Sequence, residues 1–345
     1  MRYRTLGRTG LKVSELGLGT IKIDSPAVVQ HAMDLGVNYF DTAACYQGGK
    51  SEEKLGRALK GRREQAVVAT KWHTDGSTSA KELLASLEAS LRRLQMEHVD
   101  LIQIHGATNS AQVQSDELWE AFSQAKKAGK VRFHGLSSHG NQAEVVREAI
   151  KSTRYDAVLV SYNALLAERV GPAVAEAQAA NVGVIAMKAL QPAHRSRESN
   201  AFKGLRGNPY QQSIQWLLKD RNVSTTIVDM PTFDEVDEDV AAVKMYEQAN
   251  LTEFERAVAS LSLGTCHLCG SCTAQCPRGV QVADIMRCDL YRTGYQDRAR
   301  ATDAYRALPV GGSAASCGDC EQCGVVCPWG VPIRERLVST HEALV

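Results

Sequence analysis

The residues with the most distinctive chemistry are ten cysteines, nine of which lie between residues 266 and 327. Eight of the nine form two runs of one pattern, Cys-x2-Cys-x2-Cys-x3-Cys-Pro. The first run is Cys266, Cys269, Cys272 and Cys276, and the second is Cys317, Cys320, Cys323 and Cys327. Two-residue spacers form a tight loop on which three thiolates converge, and such a loop can bind an anionic metal cluster. The pattern predicts metal ligands rather than disulfides, which a reducing compartment disfavours.

The two runs resemble those of bacterial ferredoxins, and this resemblance implies two [4Fe-4S] clusters in a ferredoxin-like domain. In such proteins the fourth cysteine of each run, the one before proline, binds the other cluster. The implied ligand sets are Cys266, Cys269, Cys272 and Cys327 for one cluster, and Cys317, Cys320, Cys323 and Cys276 for the other. Zinc bound by paired Cys-x2-Cys knuckles is the alternative, but it explains neither the third cysteine nor the prolines. Cys288, between the runs, is expected to be a packed thiol.

A second set of polar residues lies where predicted strands end, or in the loop that follows, and suits carbonyl reduction. A hydride delivered to a carbonyl carbon leaves an alkoxide that must be protonated. Tyr46 is the expected acid, and a neighbouring ammonium from Lys71 would lower its pKa from about 10. Asp41 would hold Lys71 in place, and His105 would orient the carbonyl oxygen. Cys45, beside the tyrosine, is expected to be a small packing residue.

The elements that must position these residues can be read from the pattern of apolar residues. Short apolar runs alternate with stretches of helical periodicity, as in repeated βα units. The predicted strands are 15–20, 38–43, 66–71, 99–105, 132–138, 156–163, 182–190 and 224–230. Eight such units predict an α/β fold, a (β/α)8 TIM barrel, with function in the loops that follow the strands. A doubly wound open sheet is the alternative, but no Gly-x-Gly-x-x-Gly turn follows the first strand.

The boundaries of this organisation are also predicted. Residues 1–250 are expected to form the barrel, and residues 251–345 a bridging helix and the iron-sulfur domain. A short hairpin that turns between Gly7 and Gly10 is expected to cover the bottom of the barrel.

Four segments of the barrel region resemble the aldo-keto reductases. They are FDTAACY (40–46), SEEKLGRAL (51–59), TK (70–71) and QIH (103–105). The resemblance covers roughly residues 1–246 and includes all four of the polar residues in the order found in that family. It implies an oxidoreductase that interconverts a small carbonyl and an alcohol.

The same resemblance implies NAD(P)H as cofactor. The implied nicotinamide contacts are Ser137, Ser138, Asn163 and Lys188, but Leu159 stands where a glutamine is expected. After the eighth strand the chain reads IVDMPTFDEVDED, with no Lys or Arg before Lys244. Carboxylates repel a phosphate dianion, so NADH is favoured over NADPH. Alternatively, the acidic segment is only a solvated helix start, which the helix dipole favours.

Composition narrows the remaining classes of function. Forty basic and 39 acidic side chains leave a formal charge of +1, so no global field attracts nucleic acid or an anionic membrane. The amino-terminal segment has no apolar core of a signal peptide, and no apolar run is long enough to span a bilayer. We therefore expect a cytoplasmic protein.

One redox step is unexplained by the motifs. Clusters transfer single electrons, nicotinamide transfers a hydride, and no flavin motif connects the two. The clusters would therefore be structural, feed a substrate directly, or exchange electrons with a partner protein. A second hypothesis is an electron-transfer or interaction subunit with a non-catalytic barrel.

Overall fold

The computed structural model describes residues 1–74, 77–195, 200–261, 263–320 and 323–345. The chain divides into two compact units. The first comprises residues 1–189 and 211–249, and the second comprises residues 190–210 and 250–345. Within the described residues, no helix is both long enough and apolar enough to cross a membrane.

The first unit begins with a hairpin, as predicted. Strands β1 (Tyr3–Thr5) and β2 (Lys12–Ser14) pair antiparallel around a single turn of 3-10 helix. Leu6, between them, is fully buried and packs against Gly183. A Cβ at Gly183 would lie 2.6 Å from Leu6 Cδ1, so only glycine allows this contact. The hairpin therefore covers the amino-terminal end of the barrel.

Eight parallel strands follow and close into a barrel in chain order, with the last strand paired to the first. They are β3 (Leu16–Gly19), β4 (Tyr39–Asp41), β5 (Val67–Trp72), β6 (Val99–Ile104), β7 (Val131–Ser138), β8 (Ala157–Ser161), β9 (Gly183–Met187) and β10 (Thr225–Asp229). Strand β10 closes the barrel by pairing Asp229 with Gly19 of β3. The prediction of a (β/α)8 barrel is confirmed, and the open sheet is excluded.

Helices alternate with these strands. They are α1 (Pro26–Asp34), α2 (Lys50–Ala58), α3 (Ala80–Leu94), α4 (Ser110–Gln114), α5 (Asp116–Lys127), α6 (Gln142–Ser152), α7 (Ala167–Ala179), α9 (Pro209–Lys219) and α10 (Phe233–Met245), with the short α8 (Gln191–Arg195) after β9. Helix α3 shows why such segments fold: Ser79 and Glu82 form a reciprocal capping box that satisfies backbone N-H groups of the first turn. Leu83, Leu87 and Leu91 recur at helical spacing and are buried.

The second unit has its own apolar core. Its longer helices are α11 (Thr252–Leu261), α12 (Val282–Asp289), α13 (Arg298–Arg306) and α14 (Ile333–Leu344). Ile285, Met286 and Leu337 are among the side chains of this core, and Cys288 is fully buried within it. The prediction of a packed thiol at Cys288 is confirmed.

Candidate functional site

The carboxyl ends of parallel barrel strands meet at one mouth, and this places the predicted polar group together. Asp41 ends β4, Lys71 lies near the end of β5, and His105 directly follows β6. Tyr46 opens the 3-10 turn after β4. The backbone N-H of His105 donates to the carbonyl of Trp72 at 2.8 Å, which fixes the start of the loop after β6.

Lys71 is the centre of the polar group. Its ammonium forms an ion pair with Asp41 and donates to the carbonyl oxygen of Thr42 at 2.7 Å. It also donates to Tyr46 Oη at 3.3 Å. The ring of His105 lies edge-on to that of Tyr46, with centroids 5.9 Å apart. The structure therefore brings all four predicted residues to one place.

Burial and the charge of the partner act in opposite directions on the pKa of each member of this pair. Burial lowers the pKa of Lys71, but the negative charge of Asp41 and the hydrogen bonds more than offset this, so the pKa of Lys71 lies above its ordinary value. Burial likewise raises the pKa of Asp41, and Lys71 and Gln103 oppose that rise. Lys71 therefore remains an ammonium at neutral pH and keeps a positive charge next to the Tyr46 hydroxyl.

Gln103 belongs to this site although its sequence context gave it no role. Its side-chain amide donates to Asp41 Oδ2 at 3.0 Å, while Lys71 contacts Oδ1. Both oxygens of the buried carboxylate are thus satisfied. Gln103 pairs with Lys71 on the neighbouring strand, so the register of β5 and β6 would have predicted its position in the site.

The mouth also contains residues that the sequence did not mark as chemical. The Sγ atom of Cys45 lies 3.7 Å from His105 Nδ1, and the side chain is exposed. The expectation of a packing residue at Cys45 is wrong, because β4 ends at Asp41 and the following turn carries this side chain out to the mouth. The rings of His73 and His139 have centroids 4.7 and 6.4 Å from that of His105.

The residues expected to contact nicotinamide lie at the ends of β7, β8 and β9 and make local bonds. Ser137 Oγ accepts from the N-H of Gly106 at 2.9 Å, and Ser138 Oγ donates to the carbonyl of Gly140 at 2.6 Å. Asn163 accepts from Leu165 N-H and donates to the carbonyl oxygen of residue 188. These bonds order the loops at the mouth. The contacts of these residues with a nicotinamide stay a prediction.

Lys188 follows β9 and lies close to other polar groups. Its backbone has a φ of 60°, in the left-handed region, and its Nζ lies 2.7 Å from His139 Nδ1. It also donates to Ser161 Oγ at 3.1 Å. Leu159, which replaces the expected glutamine, is buried in the apolar core of the barrel.

The acidic segment after β10 begins helix α10. Thr232 and Glu235 form a capping box, and Asp237 bonds to His31 at 2.8 Å. Asp239 is only 7% exposed, and burial raises its pKa to about 7. Several of these carboxylates therefore have structural contacts of their own, as a helix start requires. The preference for NADH stays a prediction.

The first group of thiols in the second unit combines both cysteine runs. Burial raises the pKa of Cys272 to about 12, and the neighbouring thiols of Cys266, Cys269 and Cys327 add to the rise. The pKa of Cys266 is raised to about 11, first by burial and also by Cys269 and Cys327. Cys327 is thus a neighbour of the first run, although it belongs to the second.

The second group shows the reciprocal arrangement. Cys276, Cys317, Cys320 and Cys323 line one small cavity. Burial raises the pKa of Cys317, and Cys276, Cys323 and Cys320 contribute. In the part of the chain that the structure describes, no disulfide joins the cysteines. Each group is therefore four converging thiols, and a cation would relieve the repulsion between their ionised forms.

The barrel and the polar group at its mouth define an oxidoreductase. The chain belongs to the aldo/keto reductase family, whose model matches residues 15–201. L-galactose dehydrogenase of Arabidopsis thaliana is 28% identical in a match that covers 73% of this chain and 91% of that protein. L-glyceraldehyde 3-phosphate reductase of Escherichia coli (strain K12) is 26% identical in a match that covers 76% of this chain and 91% of that protein.

Solved structures agree with this assignment. The holo form of an aldo-keto reductase from Bacillus halodurans superposes with a TM-score of 0.64 at 28% identity. That match covers 76% of this chain and 96% of the other. All eight cysteines of the two runs lie after the segment that the family model matches.

Proposed function

We propose that this protein interconverts a small carbonyl compound and its alcohol at the barrel mouth, with a nicotinamide as hydride carrier and Tyr46 as general acid and base. The observation that carries the proposal is the buried Lys71-Asp41 pair whose ammonium contacts the Tyr46 hydroxyl at 3.3 Å. Bound NAD(P)H would supply the hydride.

Protonation is the step for which the chain itself provides. An ammonium beside a phenol favours its ionised form and so helps Tyr46 release its proton to the developing alkoxide. Asp41 keeps Lys71 charged and in place, and Gln103 positions Asp41. In the oxidative direction the same tyrosine takes the proton from the alcohol, since the acid of one direction is the base of the other.

His105 orients the substrate. Its ring lies edge-on to Tyr46, so an N-H of the imidazole and the phenol can meet at one carbonyl oxygen. Two donors at a single oxygen fix its direction and stabilise the charge that develops on it.

The proposed nicotinamide cofactor would bind at the strand ends. Ser137, Ser138, Asn163 and Lys188 follow or end neighbouring strands at the mouth that carries Tyr46. They would hold the carboxamide and ribose of the nucleotide. NADH is proposed over NADPH because the segment after β10 contains carboxylates and no cation before Lys244.

The two thiol groups in the second unit fit [4Fe-4S] clusters and would make it a ferredoxin-like domain. Each group has four cysteines, and each takes its fourth member from the other run. A zinc site would need only four thiolates, and it would not explain the third cysteine at fixed spacing in each run. The clusters would supply single-electron transfer, and a redox partner protein is the proposed source or acceptor of those electrons.

The test is substrate-dependent turnover of NADH in Tyr46→Phe. The probes are L-glyceraldehyde 3-phosphate, L-galactose and a panel of short aldehydes and ketones. Loss of the phenolic proton should lower kcat about 10²- to 10⁴-fold while leaving the shape of the site intact. Tyr3→Phe, in the hairpin at the other end of the barrel, is the matched control and should retain wild-type rates.

A second variant addresses Lys71 without leaving a lone buried charge. Removing one partner of a buried ion pair costs about 3–5 kcal/mol, so Lys71→Met is combined with Asp41→Asn. The double variant should lose activity like Tyr46→Phe. Fluorescence titration with NADH and NADPH reports cofactor binding separately. Wild-type rates in both active-site variants at matched iron content would favour the electron-transfer or interaction subunit instead.

A further inference from the structure

We propose that Cys45, His73 and His105 form a binding site for a borderline-soft divalent cation, Zn²⁺ above all, at the barrel mouth. The three ligand atoms, one from each side chain, lie within 4.8 Å of one another. They come from three successive loops: Cys45 follows β4, His73 follows β5 and His105 follows β6. None of these three ligands belongs to the two cysteine runs.

The spacing of the ligand atoms suits tetrahedral zinc. With Zn-S of about 2.3 Å and Zn-N of about 2.0–2.1 Å, tetrahedral angles place the sulfur and a nitrogen about 3.6 Å apart. Cys45 Sγ and His105 Nδ1 are 3.7 Å apart, so this pair already has the required separation.

The third ligand needs a small adjustment. Two nitrogens on tetrahedral zinc lie about 3.4 Å apart, and the ligand atoms of His73 and His105 lie within 4.8 Å of each other. The rings of His73 and His105 are tilted by 59° with centroids 4.7 Å apart, so they are not stacked face to face. The His73 side chain is exposed, and a rotation of its ring can close the remaining distance.

The donor set selects the class of cation. One thiolate and two imidazoles are typical ligands of Zn²⁺ and of related transition metals, whereas Mg²⁺ and Ca²⁺ prefer oxygen. Three protein ligands leave a fourth position for water or a substrate oxygen, the arrangement found in zinc sites that are not purely structural. A thiol that binds the ion loses its proton.

The site shares His105 with the reduction, and this part of the inference rests on the proposed function. An ion on His105 would bind the imidazole that is proposed to orient the carbonyl oxygen beside Tyr46. Zn²⁺ is therefore expected to compete with the carbonyl substrate and to raise KM reversibly, with recovery on addition of a chelator.

The binding experiment uses anaerobically purified protein with fully loaded clusters and zinc sulfate as the probe. Equilibrium dialysis should show one zinc bound per wild-type chain. In Cys45→Ala and in His73→Ala the affinity for this zinc should be at least tenfold weaker. Both side chains are exposed, so neither change removes core packing. His98→Ala is the matched control, because residue 98 directly precedes the strand whose other end carries His105.

Zinc-edge X-ray absorption identifies the ligands. One sulfur at about 2.3 Å with nitrogen or oxygen at about 2.0–2.1 Å would support the site. A shell of sulfur alone would place the zinc in the cysteine runs and overturn the proposal, as would zinc affinity unchanged by both alanine variants. Zinc binding is read without turnover, so a failure of the proposed reduction would leave this result intact. Binding without any change in KM would overturn the competition alone.

Discussion

Asp239 makes the stability of the barrel depend on pH in a direction opposite to that of most carboxylates. The side chain lies in α10, is 7% exposed, and has its pKa raised from 3.8 to about 7 by burial, with help from Glu235 and Glu238. The folded state therefore binds this proton more tightly than the unfolded state. Its contribution to stability is complete below pH 3.8 and is lost as the pH rises to about 7.

The size of the effect follows from that difference. At about 1.4 kcal/mol per pH unit, the interval from 3.8 to about 7 corresponds to about 4 kcal/mol. Asp239→Asn removes the titration. Its free energy of unfolding relative to wild type should therefore rise by about 4 kcal/mol between pH 4 and pH 8. A constant cost of burying the amide shifts the whole curve and does not alter this rise.

The assay is urea unfolding followed by tryptophan fluorescence at pH 4, 6 and 8. Three of the four tryptophans, Trp72, Trp119 and Trp216, lie in the first unit and report on the barrel. Asp234→Asn, an exposed aspartate in the first turn of the same helix, is the control and should parallel wild type. Parallel curves for wild type and Asp239→Asn would refute the reasoning, because they would show that Asp239 is ionised in the folded state at ordinary pH.

Two further outcomes are expected. Cys276→Ser should disturb the cluster assigned to Cys317, Cys320 and Cys323 more than the one beside it in sequence, as seen by Mössbauer or EPR spectroscopy; loss of the adjacent cluster instead would contradict ligand exchange. Gln103→Leu removes a hydrogen bond to the buried Asp41 carboxylate that is worth about 1.5–3 kcal/mol and that favours its ionised form. The pKa of Asp41 should therefore rise, and the acid limb of the pH profile of kcat/KM should move up by about 1–2 pH units. An unmoved limb with reduced stability would leave Gln103 only a structural role.

The barrel could be predicted because its signal is local and repeated. Each apolar run and each helical stretch is visible within a short window, and eight repeats leave few topologies. Asp41, Tyr46, Lys71 and His105 could be predicted for the same reason, since each lies at or after the end of an apolar run that finishes at the mouth.

Other features depend on contacts between segments that are far apart in the sequence, and a short stretch of sequence does not reveal such contacts. The role of Gln103 follows from its register with Lys71, and register is a property of two strands. The exposure of Cys45 depends on the path of the turn after β4. The approach of His73 to His105 depends on the pairing of β5 with β6, which brings the two following loops together.

The sequence also did not predict that residues 190–210 belong to the second unit. Gln191 Nε2 donates to the carbonyl of Cys266 at 3.4 Å, and His194 packs against Tyr295 with ring centroids 4.4 Å apart. These contacts join segments far apart in the chain. Nothing in the periodicity of α8 distinguishes it from a barrel helix.

The exchange of cysteines between the two runs affects the order of events during synthesis. The group around Cys317 includes Cys276, and the group around Cys272 includes Cys327. Neither group is complete until Cys323 or Cys327 has been made, several tens of residues after β10. Chains are synthesised from the amino terminus and domains fold as units, so the barrel can close before either thiol group exists. The proposed clusters would therefore be assembled on a chain whose barrel is already folded.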